Sequence, residues 1–148
     1  QLFQNSKCIL TPTANTNRDA VNTVQSMWEA AGAKVLLMDP EAHDRIFAAV
    51  SHLPHVIAYA LVNTLLELEN ESDGIISYSA GGFRDFTRIA ASHPEMWRDI
   101  CLMNKKNVLE MLEKFENCIA KMRSLIQSGD AEGLYNEFEK ARQVREKL

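Results

Sequence analysis

Two histidines three residues apart, in the segment Ser51-His52-Leu53-Pro54-His55, are the first residues that could carry chemistry. Side chains at this spacing share one face of a helix. Pro54 disturbs that helix, and the N–H groups left unpaired attract anions beside a switchable imidazole donor. A metal would need further ligands, and His43 and His93 show no ligand spacing with the pair, so we expect no metal. Ordinary packing of His52 and His55 is the alternative.

Two arginines and two glycines form a second cluster at the start of a predicted short helix, in the order Gly81, Gly82, Arg84, Asp85, Arg88. Paired glycines let a ligand approach the backbone closely, and the first amides of a helix favour negative charge. Arg84 and Arg88 lie one turn apart and repel unless an acidic group lies near them, while Asp85 is placed to orient Arg88. Two guanidiniums suit a carboxylate ligand. A surface ion-pair cluster is the alternative.

A third segment, Pro94-Glu95-Met96-Trp97-Arg98-Asp99, predicts a helix start with Trp97 buried and the two residues after it exposed. The sequence contains no Gly-x-Gly-x-x-Gly motif, phosphate loop, Ser-His-Asp arrangement or paired-carboxylate signature. No motif here would let the chain act as an enzyme alone.

The first forty residues predict a βαβ unit. A buried strand over 7–10 is followed by an amphipathic helix, capped by Asn15 or Thr16 and ended at Gly32, and then by a second strand over 33–38. The two strands are expected to be parallel, with a right-handed crossover.

The rest of the chain predicts helices. Asp39-Pro40 starts one that Pro54 bends or restarts and that continues over 56–68, and residues 67–82 predict the main loop. We expect the acids of this loop to be solvated surface; they are Glu67, Glu69, Glu71 and Asp73. A short helix ends at His93-Pro94.

After Pro94 the apolar period predicts one helix of about nine turns, ending at Gly129. A last helix from about Asp130 folds back on it. A helix this long exceeds what a small domain covers, so we expect it to pack partly against a second subunit.

Composition excludes several classes of protein. The 148 residues are 46% apolar, enough for a core, and the net charge of −4 argues against a nucleic-acid partner. We find no apolar run of about 20 residues and no signal peptide, so we expect a cytoplasmic protein without a membrane segment. Three widely spaced cysteines predict buried thiols rather than disulfides; they are Cys8, Cys101 and Cys118. Because the chain begins at Gln1, we expect it to be part of a longer protein.

Several segments together resemble the C-terminal portion of the prephenate and arogenate dehydrogenases. The resemblance spans nearly the whole chain and is most specific in SHLPH and GGFRDFTRIA, whereas the last 40 residues match only in helical character. The segments are Ile9–Thr13, Met38–Asp44, Val50–His55, Gly81–Ala90 and Pro94–Asp99.

The resemblance implies a mainly α fold: an all-helical domain over 39–148 that binds substrate and dimerises, similar to the C-terminal domain of 6-phosphogluconate dehydrogenase. A short βαβ remnant of a Rossmann domain, residues 1–38, precedes it. The glycine-rich fingerprint and the catalytic histidine of the family lie upstream of Gln1, so we expect no turnover by this chain, and no cofactor bound to it.

The implied reaction is the oxidative decarboxylation of prephenate to 4-hydroxyphenylpyruvate with NAD or NADP, in tyrosine biosynthesis. Arg88 matches the family's substrate-binding arginine and His55 its substrate-contacting histidine. His52 is expected to be structural, Asp85 to orient Arg88, and Arg84 to support the site. Gly81 matches a position near the partner's active site, and Ser51 and Trp97 match residues that line the pocket.

The resemblance implies a homodimer with prephenate or arogenate as substrate, and tyrosine as a candidate feedback ligand. The sequence decides neither between these substrates nor between NAD and NADP. A helical dimerisation or regulatory module without a substrate of its own is the competing hypothesis.

Overall fold

The computed structural model describes residues 2–71 and 74–148, and the side chain of Glu71 is left out of the description. The expectation that Asp73 is solvated therefore lies outside the described residues, as does that for the Glu71 side chain. The chain divides into two compact units, 1–108 and 109–148, which are described separately.

The βαβ unit is confirmed. Strand β1 (Lys7–Leu10) pairs in parallel with β2 (Lys34–Leu37), and helix α1 (Arg18–Ala30) connects them. The expected cap at Asn15 or Thr16 is wrong, because the Asn17 side chain accepts from the backbone N–H groups of the first helical turn. Gly32 ends the connection with φ +94°, the left-handed conformation predicted for it.

Helices α2 (Pro40–Phe47) and α3 (Leu53–Glu71) are joined by a turn of π-helix over Ala48–His52. The Asp39 side chain accepts from the Ala42 N–H at 3.0 Å, as its position before proline predicts. Pro54 has no N–H to donate, and the wider π turn directly before it is where the helix changes geometry. The predicted restart at proline is therefore accomplished by a π turn rather than by a break.

The continuous helical run over 40–70 contains an 18-residue stretch with mean hydropathy 1.4, long and apolar enough to cross a membrane by length and composition alone. It is not an uninterrupted apolar run of about 20 residues, because uncharged polar residues such as Ser51 and His52 interrupt the apolar pattern without lowering its average far. Only 11% of this stretch is buried within the chain. The other residues of the run are divided between half-buried and exposed ones, so its apolar surface is only partly covered here.

The predicted loop over 67–82 is shorter than expected, because α3 continues to Glu71. Glu69 is not simply solvated: its carboxylate accepts from the N–H groups of Gly74 at 2.9 Å and Ile76 at 2.8 Å. These bonds hold a 3-10 turn over Ile75–Tyr78, which precedes α4 (Gly81–Thr87) and a second 3-10 turn over Arg88–Ala91.

The predicted single helix after Pro94 is wrong. It is two helices, α5 (Pro94–Met103) and α6 (Lys105–Ser128), separated at Asn104. Asn104 leaves helical geometry with φ −103° and ψ 30° because its buried side chain bonds to another part of the fold. Trp97 of α5 is buried and Arg98 and Asp99 are exposed, as predicted.

In the second unit, Gly129 (φ +67°) ends α6 and the Asp130 side chain caps α7 (Ala131–Arg145) by accepting from Gly133 N–H at 2.8 Å. An ion pair of 2.6 Å between Lys121 and Glu137 confirms that α7 folds back on α6. The expectation of buried thiols holds in part: Cys8 and Cys101 are half-buried, but Cys118 lies on the exposed side of α6.

Candidate functional site

His55 lies near the start of α3 and is held on two sides. Its Nδ1 is 2.9 Å from the Ser51 carbonyl, and its ring stacks on Trp97 with centroids 3.6 Å apart and planes 19° apart. Because a carbonyl only accepts, Nδ1 carries the hydrogen and Nε2 of the neutral ring keeps its lone pair. His55 thus offers an acceptor at Nε2.

Trp97 is the buried aromatic residue against which His55 packs. Pro94 is the first residue of its helix, where the missing N–H of proline costs nothing. The indole lies against both histidines, and the His52 ring is edge-on to it with 6.2 Å between ring centroids. Its Nε1 is buried, and of the buried side-chain nitrogen and oxygen atoms in 2–70 and 74–148 it is the one without a hydrogen-bond partner.

His52 takes part in a second set of bonds, centred on Asn104. The Asn104 Nδ2 donates to the Asp44 carbonyl at 2.7 Å and lies 3.2 Å from His52 Nδ1. Asn107 Nδ2 donates to Asn104 Oδ1 at 2.7 Å. These bonds connect α2 and the π turn to the junction of α5 and α6.

The environment of His52 favours its neutral form. Burial lowers the pKa of this imidazole below its ordinary 6.5; the carboxylate of Asp44 acts in the opposite direction, and His43 and His55 add to the lowering. The surroundings of His52 therefore favour the neutral ring, and the structural role expected of this residue stays a prediction.

Tyr59, which no sequence motif predicted, links α3 to the α4 region, which is α4 with the 3-10 turn that follows it (residues 81–91). Its hydroxyl donates to the Ser92 carbonyl at 2.6 Å, directly after the second 3-10 turn. A groove beside Trp97 also includes Asn63 and Cys101. Burial raises the pKa of the Cys101 thiol, which keeps it protonated.

The α4 region carries the predicted cationic residues on its surface. Arg84, Asp85 and Arg88 are all exposed, and Arg88 forms no hydrogen bond or ion pair with any residue the structure describes. The expected pairing of Asp85 with Arg88 is therefore absent, since α4 ends at Thr87 and Arg88 begins a separate 3-10 turn. Gly81 is also exposed, and no atom lies within 4 Å of a Cβ built on it.

The structure thus brings together Ser51, His52, His55 and Trp97 but does not join them to Arg88 by any contact it records. The α4 region nevertheless packs on α3, the helix that carries His55. The two predicted clusters are therefore neighbours on one scaffold.

The described residues do not by themselves form a dinucleotide site. The carboxyl ends of β1 and β2 are the edge at which a parallel sheet binds such ligands. That edge presents Thr13 and Thr16, whose hydroxyls are already bonded to each other at 3.1 Å, and no glycine-rich turn. No group of three metal-ligating side chains occurs among the residues described.

Two family models match this chain. The family model described as the prephenate dehydrogenase dimerization domain matches residues 39–140, and that of the prephenate dehydrogenase nucleotide-binding domain matches residues 1–37. The chain belongs to the prephenate dehydrogenase family. The mainly α fold with a short βαβ remnant, implied by the sequence resemblance, is confirmed.

Individual members of the prephenate dehydrogenase family are similar over almost the whole chain. Cyclohexadienyl dehydrogenase of Zymomonas mobilis is 42% identical over 98% of this chain and 50% of its own length. Prephenate dehydrogenase of Bacillus subtilis is 39% identical over 99% of this chain and 40% of its own length. The chain therefore spans half or less of the length of these curated relatives.

Solved structures agree with the fold. Prephenate dehydrogenase from A. aeolicus, in complex with hydroxyphenyl propionate and NAD+, superimposes with a TM-score of 0.91 at 42% identity, covering 99% of this chain and 51% of that one. Synechocystis arogenate dehydrogenase superimposes with a TM-score of 0.81 at 28% identity, covering 99% of this chain and 53% of that one.

Proposed function

We propose that this chain is the C-terminal part of an enzyme that oxidatively decarboxylates prephenate to 4-hydroxyphenylpyruvate. A hydride passes from the ring carbinol carbon to NAD or NADP, and the ring carboxylate leaves as carbon dioxide. Residues 1–38 would be the trailing piece of the nucleotide-binding domain, and 39–148 the substrate-binding and dimerisation domain. The chain would be inactive alone, in a soluble cytoplasmic protein.

The observation that carries the proposal is the ring stack of His55 on Trp97, which leaves the His55 Nε2 without a partner among the described residues. This stack lies in a chain of the same fold as a relative whose crystal structure contains hydroxyphenyl propionate and NAD+. An aromatic floor beside one free acceptor nitrogen suits a six-membered ring that carries a hydroxyl.

Arg88 is the proposed partner of a substrate carboxylate. Its guanidinium is exposed and unpaired within the described residues, so a bidentate pair with a carboxylate would form without breaking an existing ion pair. Arg84 would support this charge, and Gly81 would face the active site of a second subunit. Ser51 orients His55 through its carbonyl, so its side chain remains available to line the pocket.

A homodimer is supported by the apolar surface that the single chain leaves uncovered. Exposed large apolar side chains lie on α2, the π turn and α3 and on α6 and α7, where a second copy would cover them. They include Ile46, Val50, Leu66, Leu109, Ile126, Phe138 and Val144. This explains the apolar run over 40–70 as a subunit interface. Sedimentation should give a dimer, and a monomer at high concentration would contradict the proposal.

The test of the catalytic proposal uses the protein with its complete nucleotide-binding domain. Arg88→Ala should raise the KM for prephenate by roughly 10-fold to 150-fold, the value of one charge-assisted carboxylate pair of ~1.5–3 kcal/mol. Arg145→Ala, an exposed arginine at the end of α7, is the charge-matched control and should leave KM unchanged. An unchanged KM in Arg88→Ala would reject the assignment.

The same assay bears on the finer assignments. Comparing prephenate with arogenate, and NAD with NADP, identifies the substrate and cofactor, and added tyrosine tests for feedback inhibition. A protein that oxidises neither substrate, while sedimenting as a dimer, would favour the competing hypothesis of a helical module without a substrate.

A further inference from the structure

Asn104 is the buried polar residue at the junction of α5 and α6. The residue is 8% exposed, and it is the one buried polar or charged residue among residues 2–70 and 74–148. A polar side chain in such a place is costly unless its hydrogen bonds are made. Both ends of the amide are used: Nδ2 bonds toward Asp44 and His52, and Oδ1 accepts from Asn107.

The Asp44 carbonyl fixes which way this amide points. A carbonyl only accepts, so the amide atom 2.7 Å from it must be the nitrogen, and a flipped amide would place two acceptors against each other. Asn107 agrees, since its own nitrogen donates to the remaining oxygen. The orientation of Asn104 therefore does not depend on His52.

The fixed amide determines where His52 carries its hydrogen. Because Asn104 Nδ2 can only donate, His52 Nδ1 must accept, and the ring hydrogen is on Nε2. His55 has the opposite arrangement, with its hydrogen on Nδ1 toward the Ser51 carbonyl and a lone pair on Nε2. Two imidazoles around one indole are thus held in different tautomers.

We propose that Asn104 is a positioning residue that sets the tautomer of His52, so that the two imidazoles around Trp97 present one donor and one acceptor nitrogen. A hydroxyl group can accept from the first and donate to the second, so the pair is suited to a ligand bearing a hydroxyl. This last step rests on the proposed function, whereas the tautomer assignment does not. The titratable groups that act on His52 are Asp44 and His43 from α2 and His55 from α3.

The first experiment measures tautomers directly, by long-range nitrogen–proton NMR of the imidazoles in the 148-residue chain. In the wild type, His52 should be the Nε2–H form and His55 the Nδ1–H form. Asn104→Ala should lower the ratio of Nε2–H to Nδ1–H in His52 by about 3-fold to 10-fold, as expected for the loss of one hydrogen bond. Asn104→Asp, whose carboxylate accepts from Nδ1, should reverse the ratio. His55 should not change.

Asn107→Ala is the matched control, because it removes a bond to the same amide but has no recorded contact with His52. It should keep the wild-type tautomer, since Asp44 still orients Asn104. Circular dichroism establishes that each variant is folded. If the variants at 104 do not fold, the wild-type tautomers still decide: His52 with its hydrogen on Nδ1 would overturn the inference, as would an unchanged His52 in folded Asn104→Ala.

The second experiment connects the tautomer to the ligand, in the protein with its complete nucleotide-binding domain. Asn104→Ala should weaken binding of hydroxyphenyl propionate by about 2-fold to 10-fold. His52→Gln carries an amide without tautomers, so adding Asn104→Ala to it should weaken binding less. Equal losses in both backgrounds would overturn the positioning role. A wild type that neither binds this ligand nor oxidises prephenate would refute the proposed function, and the tautomer measurement would still decide the assignment of Asn104.

Discussion

The packing of Trp97 gives the prediction with the largest expected effect. The side chain is 8% exposed and its ring is in contact with His55 at 3.6 Å between centroids. Replacing a buried Trp by Ala removes apolar burial and leaves a cavity, which together cost ~3–5 kcal/mol. We expect Trp97→Ala to lower the free energy of unfolding by that amount, and the melting temperature of a chain this long by roughly 6–20 °C.

Trp97→Phe distinguishes the contribution of the aromatic ring to stability from that of the indole N–H group. Phenylalanine keeps an aromatic surface against His55 and removes a buried Nε1–H that has no partner among the described residues. Leaving such a donor unpaired costs ~1–3 kcal/mol, so its removal offsets part of the lost burial. Trp97→Phe should therefore lower the free energy of unfolding by about 1–2 kcal/mol, well below the loss for Trp97→Ala.

Urea unfolding followed by circular dichroism measures both variants. The control is Trp28→Ala, which removes a half-buried Trp that contacts Phe3 edge-on and should destabilise the chain less than Trp97→Ala. If Trp97→Ala cannot be purified folded, Trp97→Leu replaces it and should lower the free energy of unfolding more than Trp97→Phe does. Equal losses for Phe and Ala, or an Ala variant no less stable than Trp28→Ala, would refute the reasoning.

Three further predictions concern backbone strain and titration. Gly32→Ala places a Cβ at φ +94° and should cost ~1–2 kcal/mol by thermal melting, whereas Gly82→Ala, with open space around its Cβ, should be neutral or slightly stabilising. The lowered pKa of His52 means that its contribution to stability is complete above pH 6.5 and is lost as the pH falls below that value, so a pH series of melting temperatures should be flatter in His52→Gln. Backbone N–H groups of Ile76 and Gly74 lower the pKa of Glu69, so its contribution is lost as the pH falls below 4.5, and Glu69→Gln should lose that acid-dependent step.

The elements predicted correctly from sequence are those fixed by neighbouring residues. The strand over 7–10, the cap at Asp39 and the helix end at Gly32 each depend on a few consecutive side chains. The break at Asn104 does not: the apolar period continues through it, and only a bond to Asp44, 60 residues away, shows why the helix ends. One signal was available, since Asn104 occupies an inward position between Cys101 and Val108.

In the candidate site, too, the features fixed by neighbouring residues could be predicted from sequence and those fixed by distant residues could not. His55 and Trp97 could be singled out from local motifs, and the structure stacks them. The partner of His52 is 52 residues away along the chain, and the bond from Tyr59 to Ser92 spans 33, so neither could be found from spacing. The role of Arg88 remains a prediction, because its carboxylate partner would come from a ligand.

The π turn over Ala48–His52 sets the rotational phase of everything that follows it in α3. A π turn holds one residue more than an α-helical turn would, and each residue in a helix advances the side-chain direction by roughly 100°. The five residues of the turn thus make about the rotation that four make in an α-helix, and the extra residue is absorbed without rotating α3. If all five wound as a regular α-helix instead, His55 would advance by roughly 100° and leave the indole of Trp97, so the contact between these two rings depends on the π geometry of the turn.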